Sequence, residues 1–250
     1  MADRLEEPGL VLGDVRGPNA HARGHIAGSI PLVLGSPPPL AGVAEVEALA
    51  AEVGLRLRRH GLTGAERLVL YDRGDGVGAI SSAQLAELAG HPRVAVLLGG
   101  IAGWEGELEE GPAELQPVKA SLKPRTDAFP TSAELAARLD DPELTIMDVR
   151  RDDEYAGRGG SPCDPRQGHI PGARHLEVSR LYDPSGRPLS PERIRELVGL
   201  PEGSALVAYC HSGSRSALAT LALRSAGYAA RNYAGSWHDW SRHAELPIER

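Results

Sequence analysis

Four short motifs occur twice in this sequence of 250 residues, in the same order in each half. The offset between the two copies of a motif stays between 133 and 144 residues. A repeat of this length exceeds a solenoid unit and is typical of two copies of one domain. The matching segments are 12–16 with 146–150, 24–28 with 168–172, 70–72 with 208–210, and 102–104 with 235–237. We therefore expect two domains of the same architecture.

The boundary between the copies is expected in a proline-rich stretch near the middle of the chain. Residues 111–130 contain four prolines and lack clear apolar periodicity, as is typical of a connecting segment. The pattern from Thr131 to Glu134 then predicts a capping box that begins a helix extending to Leu139. The expected organisation is an N-terminal domain at 1–111, a linker at 112–130 and a C-terminal domain at 131–250.

Short apolar runs alternate with helical patterns in both halves. This alternation predicts an α/β fold in which a mainly parallel sheet is covered by helices on both faces. Functional sites of such folds lie at the carboxyl ends of the strands. Strands are expected at 68–71, 94–98, 145–149 and 205–209, and helices at 43–60, 80–89, 191–198 and 216–226.

Cys210 stands at the end of a predicted strand and begins a short polar loop before a predicted helix. Backbone N–H groups and the helix dipole favour an anion at such a position, so the loop favours the nucleophilic thiolate. We predict that Cys210 is the catalytic nucleophile. The alternative is an inert buried cysteine, but a polar loop with a glycine is a poor apolar packing site.

The residues that follow Cys210 are candidates for binding the substrate anion. A glycine in the loop permits a tight turn in which successive N–H groups point inward. The arginine at its end adds a positive charge. The predicted binding residues are His211, Ser212, Gly213, Ser214 and Arg215.

Composition excludes several other classes of protein. The net charge of −7 argues against binding to a nucleic-acid backbone. No apolar run approaches the roughly 20 residues that cross a membrane, and residues 1–10 lack the pattern of a signal peptide. The two cysteines, Cys163 and Cys210, imply no disulfide framework, so a cytoplasmic location is expected. The histidines show no metal-ligand spacing with paired cysteines, so no metal is expected.

Two further segments carry a resemblance to a known family. Gly168-His-Ile-Pro-Gly-Ala173 and the aromatic segment 233–240, together with the cysteine loop, resemble signatures of the tandem-domain rhodanese family of sulfurtransferases. The sequence departs from those signatures at Pro165, where an aromatic is usual, and at Asp239, where Glu is usual. The resemblance covers nearly the whole chain and implies two tandem rhodanese-like domains.

The resemblance also implies which domain is catalytic and how it acts. Asp72 occupies the position equivalent to Cys210, and a carboxylate cannot carry a transferable sulfur, so the N-terminal domain is expected to be inactive. In the C-terminal domain, the cysteine thiolate takes a sulfane sulfur from a small donor and becomes a persulfide. A thiophilic acceptor such as cyanide or a thiol then removes it, without a cofactor. Arg150 and Arg174 are candidates for binding the donor by family position; for both, structural ion pairing is the alternative, for instance of Arg150 with Asp148 or another neighbour.

The identity of the donor is less constrained. Enzymes that use mercaptopyruvate resemble Cys-Gly-Ser-Gly at the cysteine loop, whereas this sequence has His211 at the second place. Thiosulfate is therefore favoured over 3-mercaptopyruvate as the donor. Glu154 stands where both those enzymes and the vertebrate thiosulfate enzymes usually carry an Arg. A 3-mercaptopyruvate sulfurtransferase and a persulfide relay to a protein partner remain open. A tyrosine-phosphatase-like reading is disfavoured, because Arg215 lies five places after Cys210 where that class has six.

Cys163 lies in a stretch rich in proline and glycine, between residues 157 and 168. A free surface thiol is expected there, and a resolving or redox-sensing thiol is the alternative.

Overall fold

The computed structural model describes residues 7–38 and 43–250. The chain separates into two compact units, one formed by Met1–Ser36 and Glu47–Thr126 and the other by Pro37–Val46 and Asp127–Arg250. Each unit contains a four-stranded sheet in which neighbouring strands are parallel.

In the first half of the chain, the order of strands across the parallel sheet is β3-β1-β4-β5. A separate antiparallel pair joins β2 to β6. The strands are β1 (Leu10–Asp14), β2 (His25–Ile26), β3 (Ile30–Pro31), β4 (Arg67–Tyr71), β5 (Val94–Val96) and β6 (Leu108–Glu109). The helices are α1 (Pro18–Ala22), α2 (Val43–Arg59) and α3 (Val77–Leu88).

The second half repeats this topology, with the order β8-β7-β9-β10. An isolated antiparallel bridge between His169 and Glu249 takes the place of the β2–β6 pair. The strands are β7 (Leu144–Asp148), β8 (Arg174–His175), β9 (Ala205–Tyr209) and β10 (Ala229–Asn232). The helices are α4 (Ser132–Ala136), α5 (Asp152–Tyr155), α6 (Pro191–Val198), α7 (Ser214–Ser225) and α8 (Ser236–Trp240).

Alternation along β9 divides the core of the second unit into two layers. Leu206 and Ala208 pack in one cluster with residues of α6 and α7. Val207 and Tyr209 pack in another with residues of α4 and α8. Because successive side chains of a strand point to opposite faces, the helices cover both faces of this sheet, as the sequence predicted.

Several predicted bounds differ from the structure: α3 begins at Val77 instead of residue 80, and β5 ends at Val96 instead of residue 98. The helix expected to extend to Leu139 ends at Ala136, where the backbone passes into a tighter turn in which the Arg138 N–H donates to the Leu135 carbonyl at 3.0 Å. The helix after Cys210 begins at Ser214, two residues earlier than expected, because Gly213 caps it in a left-handed conformation. By contrast, α6 has the predicted bounds, and the Ser190 side chain accepts a hydrogen bond from the N–H of Arg193.

Among the described residues, no helix combines the length and the apolar character that a membrane span requires.

Candidate active site

The Cys210 sulfur lies in a pocket of hydrogen-bond donors at the carboxyl end of β9. Cys210 is buried, with only 1% of its surface exposed to solvent. The sulfur accepts a hydrogen bond from the Gly213 N–H at 3.2 Å and from the Ser216 hydroxyl at 3.4 Å. The Ser236 oxygen also lies 3.9 Å from the sulfur, but its single proton has a closer acceptor in the Tyr233 carbonyl at 2.8 Å. These donors face the sulfur as they would face a thiolate or a persulfide anion.

Gly213 gives the loop its shape. Its φ of 90° lies in the left-handed region, which side chains other than glycine rarely adopt. A Cβ at this position would lie 2.7 Å from the Ala234 carbonyl oxygen. The Gly213 carbonyl accepts a hydrogen bond from the Asn232 amide at 3.1 Å. The turn that aims the N–H at sulfur therefore requires glycine.

The sequence did not predict Ser216 or Ser236 as residues that contact the Cys210 sulfur. Ser236 adopts a φ of 56°, unusual for a residue other than glycine, and its hydroxyl accepts a hydrogen bond from the Cys210 N–H at 3.1 Å. The duplication held a signal for it, because the matching motif of the first half has Gly103 at this place. Only the half with the cysteine carries the hydroxyl.

Arg215 is paired with a buried carboxylate. Its guanidinium donates two hydrogen bonds to Glu154, of 2.7 and 2.9 Å, and the side chains are 31% and 5% exposed. The bonds to Glu154 raise the pKa of Arg215 against the effect of burial, and Cys210 adds a further electrostatic increase. Burial raises the pKa of Glu154, but the hydrogen bonds and charges of Arg215 and, to a smaller extent, Arg151 together leave that pKa below its ordinary value. From the sequence, Glu154 was recognised only as a departure from the family pattern, and its ion pair with Arg215 was not predicted.

Arg150 is fully buried and forms the ion pair with Asp148 that the sequence left open as an alternative. Three of its hydrogen bonds to this carboxylate measure 2.6–3.1 Å, and a fourth reaches the Gly168 carbonyl at 2.6 Å. Arg16 makes the same contacts with Asp14 and the Gly24 carbonyl in the first unit. Because that unit has no cysteine at the matching position, these contacts support a structural role.

The other predicted binding residues have varied positions. Arg174 lies on β8, is exposed, and donates a hydrogen bond to the Val198 carbonyl at 2.8 Å. His211 and Ser214 are half-buried and Ser212 is exposed. The structure places Cys210 and residues 211–213 in one loop, and Ser214 and Arg215 in the first turn of α7. Arg174 as a donor-binding residue stays a prediction.

In the first unit, Asp72 places a carboxylate in the equivalent cradle. Its oxygens accept hydrogen bonds from the N–H groups of Gly74 at 2.9 Å, Gly76 at 3.2 Å and Ala79 at 3.1 Å. The capping glycine is the fourth residue after Asp72 but the third after Cys210. The position after the central strand thus faces hydrogen-bond donors in both units, and only the second unit has a sulfur there.

Cys163 is exposed, whereas Cys210 is buried, and both are free thiols. The Cys163 sulfur lies 2.9 Å from the Ser161 hydroxyl, 3.8 Å from a nitrogen of His211 and 3.6 Å from a nitrogen of His238. Its position fits the expected surface thiol, with two histidines beside it.

Comparison with curated proteins finds relatives across the full chain. A probable 3-mercaptopyruvate sulfurtransferase of Pseudomonas aeruginosa is 33% identical and aligns over 99% of this chain and 95% of that protein. A thiosulfate sulfurtransferase of Azotobacter vinelandii is 32% identical over 98% of this chain and 93% of that protein. A thiosulfate sulfurtransferase of Pseudomonas aeruginosa is 29% identical over 100% and 94%.

Solved structures give the same result for the fold. A crystal structure of a probable thiosulfate sulfurtransferase has a TM-score of 0.77 and 36% sequence identity, and the match covers 98% of this chain and 99% of that one. The family model described as the rhodanese-like domain matches the chain twice, at residues 1–107 and 131–243. With the repeated topology and the cysteine cradle, these matches establish that the chain belongs to the rhodanese-like family, with two tandem domains.

Proposed function

We propose that the protein is a sulfurtransferase that moves the sulfane sulfur of thiosulfate to cyanide or another thiophilic acceptor through a persulfide on Cys210. The observation that carries this proposal is the buried Cys210 sulfur, which accepts hydrogen bonds from the Gly213 N–H and the Ser216 hydroxyl. Relatives named as sulfurtransferases, matched over nearly their whole length, support the same reaction class.

In the first step, the Cys210 thiolate attacks the outer sulfur of thiosulfate. A new S–S bond forms to the cysteine, the old S–S bond breaks, and sulfite leaves with the bonding electron pair. In the second step, cyanide attacks the terminal persulfide sulfur, thiocyanate leaves, and the thiolate is restored. The negative charge stays on sulfur in the cradle, where the donors stabilise the thiolate and the persulfide alike.

The groups around the sulfur favour thiosulfate over 3-mercaptopyruvate. Sulfite leaves as a stable anion without a proton, whereas cleavage of the C–S bond in mercaptopyruvate produces an enolate that must be protonated. The groups that donate to the Cys210 sulfur are an amide and a serine hydroxyl, which are good hydrogen-bond donors but weak acids. Such a cradle suits a leaving group that needs no acid catalyst.

The N-terminal domain, at residues 1–111, is proposed to be non-catalytic, and residues 112–130 to be the linker before the catalytic domain at 131–250. The cradle of the N-terminal domain already contains the Asp72 carboxylate. A fixed anion there excludes a second one by electrostatic repulsion and leaves no sulfur to transfer.

The test is a side-by-side measurement of kcat/KM with thiosulfate and 3-mercaptopyruvate, with cyanide as acceptor in both cases. We expect a higher value with thiosulfate and parallel double-reciprocal lines, as a covalent relay requires. A higher value with 3-mercaptopyruvate would reassign the donor. Loading of Cys210 without turnover on cyanide or thiols would favour a persulfide relay to a protein acceptor.

A further inference from the structure

Four side chains that can bind a metal converge at the surface of the second unit. They are Cys163, Asp164, His211 and His238, and their ligand atoms all lie within 4.8 Å of one another. They come from three separate parts of the chain: the loop before Gly168, the loop after β9, and helix α8. The sequence predicted no metal site because no local spacing links these residues.

Four of the distances between ligand atoms lie close to the edges of a tetrahedron around zinc, and all of them are within 4.8 Å. Zinc bonds of about 2.0–2.1 Å to N or O and about 2.3 Å to S place two N/O ligands about 3.3 Å apart, and S and N about 3.6 Å apart. The Cys163 sulfur lies 3.8 Å from His211 Nε2 and 3.6 Å from His238 Nδ1. Asp164 Oδ1 lies 3.0 Å from His238 Nδ1, and Oδ2 lies 3.2 Å from His211 Nε2.

Asp164 supplies an independent sign that a ligand belongs here. Its side chain is 1% exposed, and its buried Oδ2 accepts no hydrogen bond. The nearby His211 nitrogen approaches it without hydrogen-bond geometry. An unsatisfied buried carboxylate oxygen is costly, and coordination to a cation at the centre of the cluster would satisfy it.

The neighbouring contacts hold the ligands in place while leaving a route for an ion. The His238 N–H donates a hydrogen bond to the His211 carbonyl at 2.9 Å, which fixes the two histidines to each other. Arg242 donates to the Cys163 carbonyl at 2.9 Å. Cys163 is exposed, and the two histidine side chains are 27% and 29% exposed. Arg242 also lies 3.6 Å from Asp164 Oδ1, so it offsets part of the charge that would attract a metal.

We propose that Cys163, Asp164, His211 and His238 form a binding site for a divalent transition metal, with Zn²⁺ the ion that suits the ligands best. One thiolate, two imidazoles and one carboxylate are all ligands that zinc accepts in tetrahedral geometry. Binding releases the thiol proton of Cys163. The site shares His211 with the loop predicted to bind the donor, but its metal binding does not require sulfur transfer, because neither Cys210 nor a sulfur donor contributes a ligand.

The experiment is metal binding to the full-length protein, purified without a histidine tag and dialysed against ZnCl₂ or CoCl₂. We expect one metal ion per chain by elemental analysis. The Co²⁺ form should show the intense visible bands of a tetrahedral site and a thiolate-to-cobalt charge-transfer band. Cys163→Ser should remove that charge-transfer band, and Asp164→Asn should weaken Zn²⁺ affinity at least tenfold in competition with a chromophoric chelator.

Two control variants separate this site from other metal-binding groups. Cys210→Ser removes the other thiol and should retain both the stoichiometry and the charge-transfer band. His243→Gln removes a histidine that pairs with Glu245 and Asp239 outside the cluster, and should also bind normally. Urea unfolding of each metal-free variant checks that it is folded. Absence of binding, a charge-transfer band that survives Cys163→Ser, or one that disappears in Cys210→Ser would overturn the proposal.

Discussion

Glu154 holds the guanidinium of Arg215 through two hydrogen bonds of 2.7 and 2.9 Å, beside the loop that contains the Cys210 sulfur. The carboxylate is nearly inaccessible, and the guanidinium is about one-third exposed. The pair fixes the direction of Arg215 and neutralises its charge. Arg215, which the sequence predicted to bind the anionic donor, is therefore already paired with Glu154.

Replacing Glu154 should strengthen the binding of an anionic donor. In Glu154→Gln the positive charge of Arg215 is no longer balanced, so KM for thiosulfate should fall about threefold, equivalent to about 0.7 kcal/mol. Steady-state kinetics at low ionic strength measures the change. Glu196→Gln, which removes a carboxylate from an exposed pair with Arg193, should leave KM unchanged. An unchanged or higher KM in Glu154→Gln would show that the carboxylate positions Arg215 rather than masking it.

The same pair should make stability depend on acidic pH. The pKa of Glu154 in the fold lies below its ordinary value of 4.5, because Arg215 and, to a smaller extent, Arg151 together outweigh the effect of burial. A carboxyl of this kind stabilises the fold at pH values above its unfolded pKa, and the contribution is lost as pH falls through the folded pKa. The difference in unfolding free energy between the wild type and Glu154→Gln should therefore shrink below pH 4.5. Urea titrations at neutral and acidic pH measure it, and a difference independent of pH would contradict the linkage.

Gly213 should be intolerant of a side chain. In Gly213→Ala the new Cβ would meet the Ala234 carbonyl, and the left-handed backbone would be strained. We expect a loss of about 1–3 kcal/mol in unfolding free energy and at least a tenfold loss of kcat/KM, because the N–H moves away from the sulfur. Gly186→Ala, at a φ of 77° with open space around its Cβ, isolates the backbone strain and should keep full activity. Equal activity in both variants would contradict the role of the Gly213 turn.

Asp72 should stabilise the first unit without serving the reaction. Asp72→Ala leaves three N–H groups without their acceptor, and should lower the unfolding free energy by about 1–3 kcal/mol. Asp75→Ala removes a single, exposed hydrogen bond to the Val77 N–H and should cost less. Under conditions where both variants are folded, kcat with thiosulfate should equal that of the wild type. A fall in kcat for Asp72→Ala would show that this cradle takes part in catalysis.

The sequence predicted the elements that depend on local pattern. The strand before Cys210, the glycine turn, the following helix and the duplication are all readable from periodicity and motif spacing. The residues that contact the loop from other elements could not be predicted, because they reach it only through the tertiary fold. Glu154 lies 61 residues from Arg215, and Ser236 lies 26 residues from Cys210. Each reaches the loop from another element, and no local pattern specifies that contact.

The surroundings of Arg150 also depend on the tertiary fold, so the sequence could not decide between donor binding and a structural ion pair for this residue. Family position made it a candidate for the donor, but position cannot distinguish a guanidinium that faces substrate from one enclosed by Asp148, Gly168 and Trp237. The duplicate pair of Arg16 with Asp14 was the available signal. Comparison of the two halves therefore separates structural residues from residues specific to the cysteine site.

The central claim is that Cys210 carries the transferred sulfur, and mass spectrometry of the sulfur-loaded protein tests it most directly. After incubation with thiosulfate and removal of excess donor, digestion without reductant should place one additional sulfur atom on the peptide with Cys210. Addition of cyanide should remove that sulfur as thiocyanate. Cys163→Ser should load and turn over like the wild type, whereas Cys210→Ser should do neither while remaining folded. Sulfur found on Cys163 instead, or full turnover in Cys210→Ser, would contradict the account.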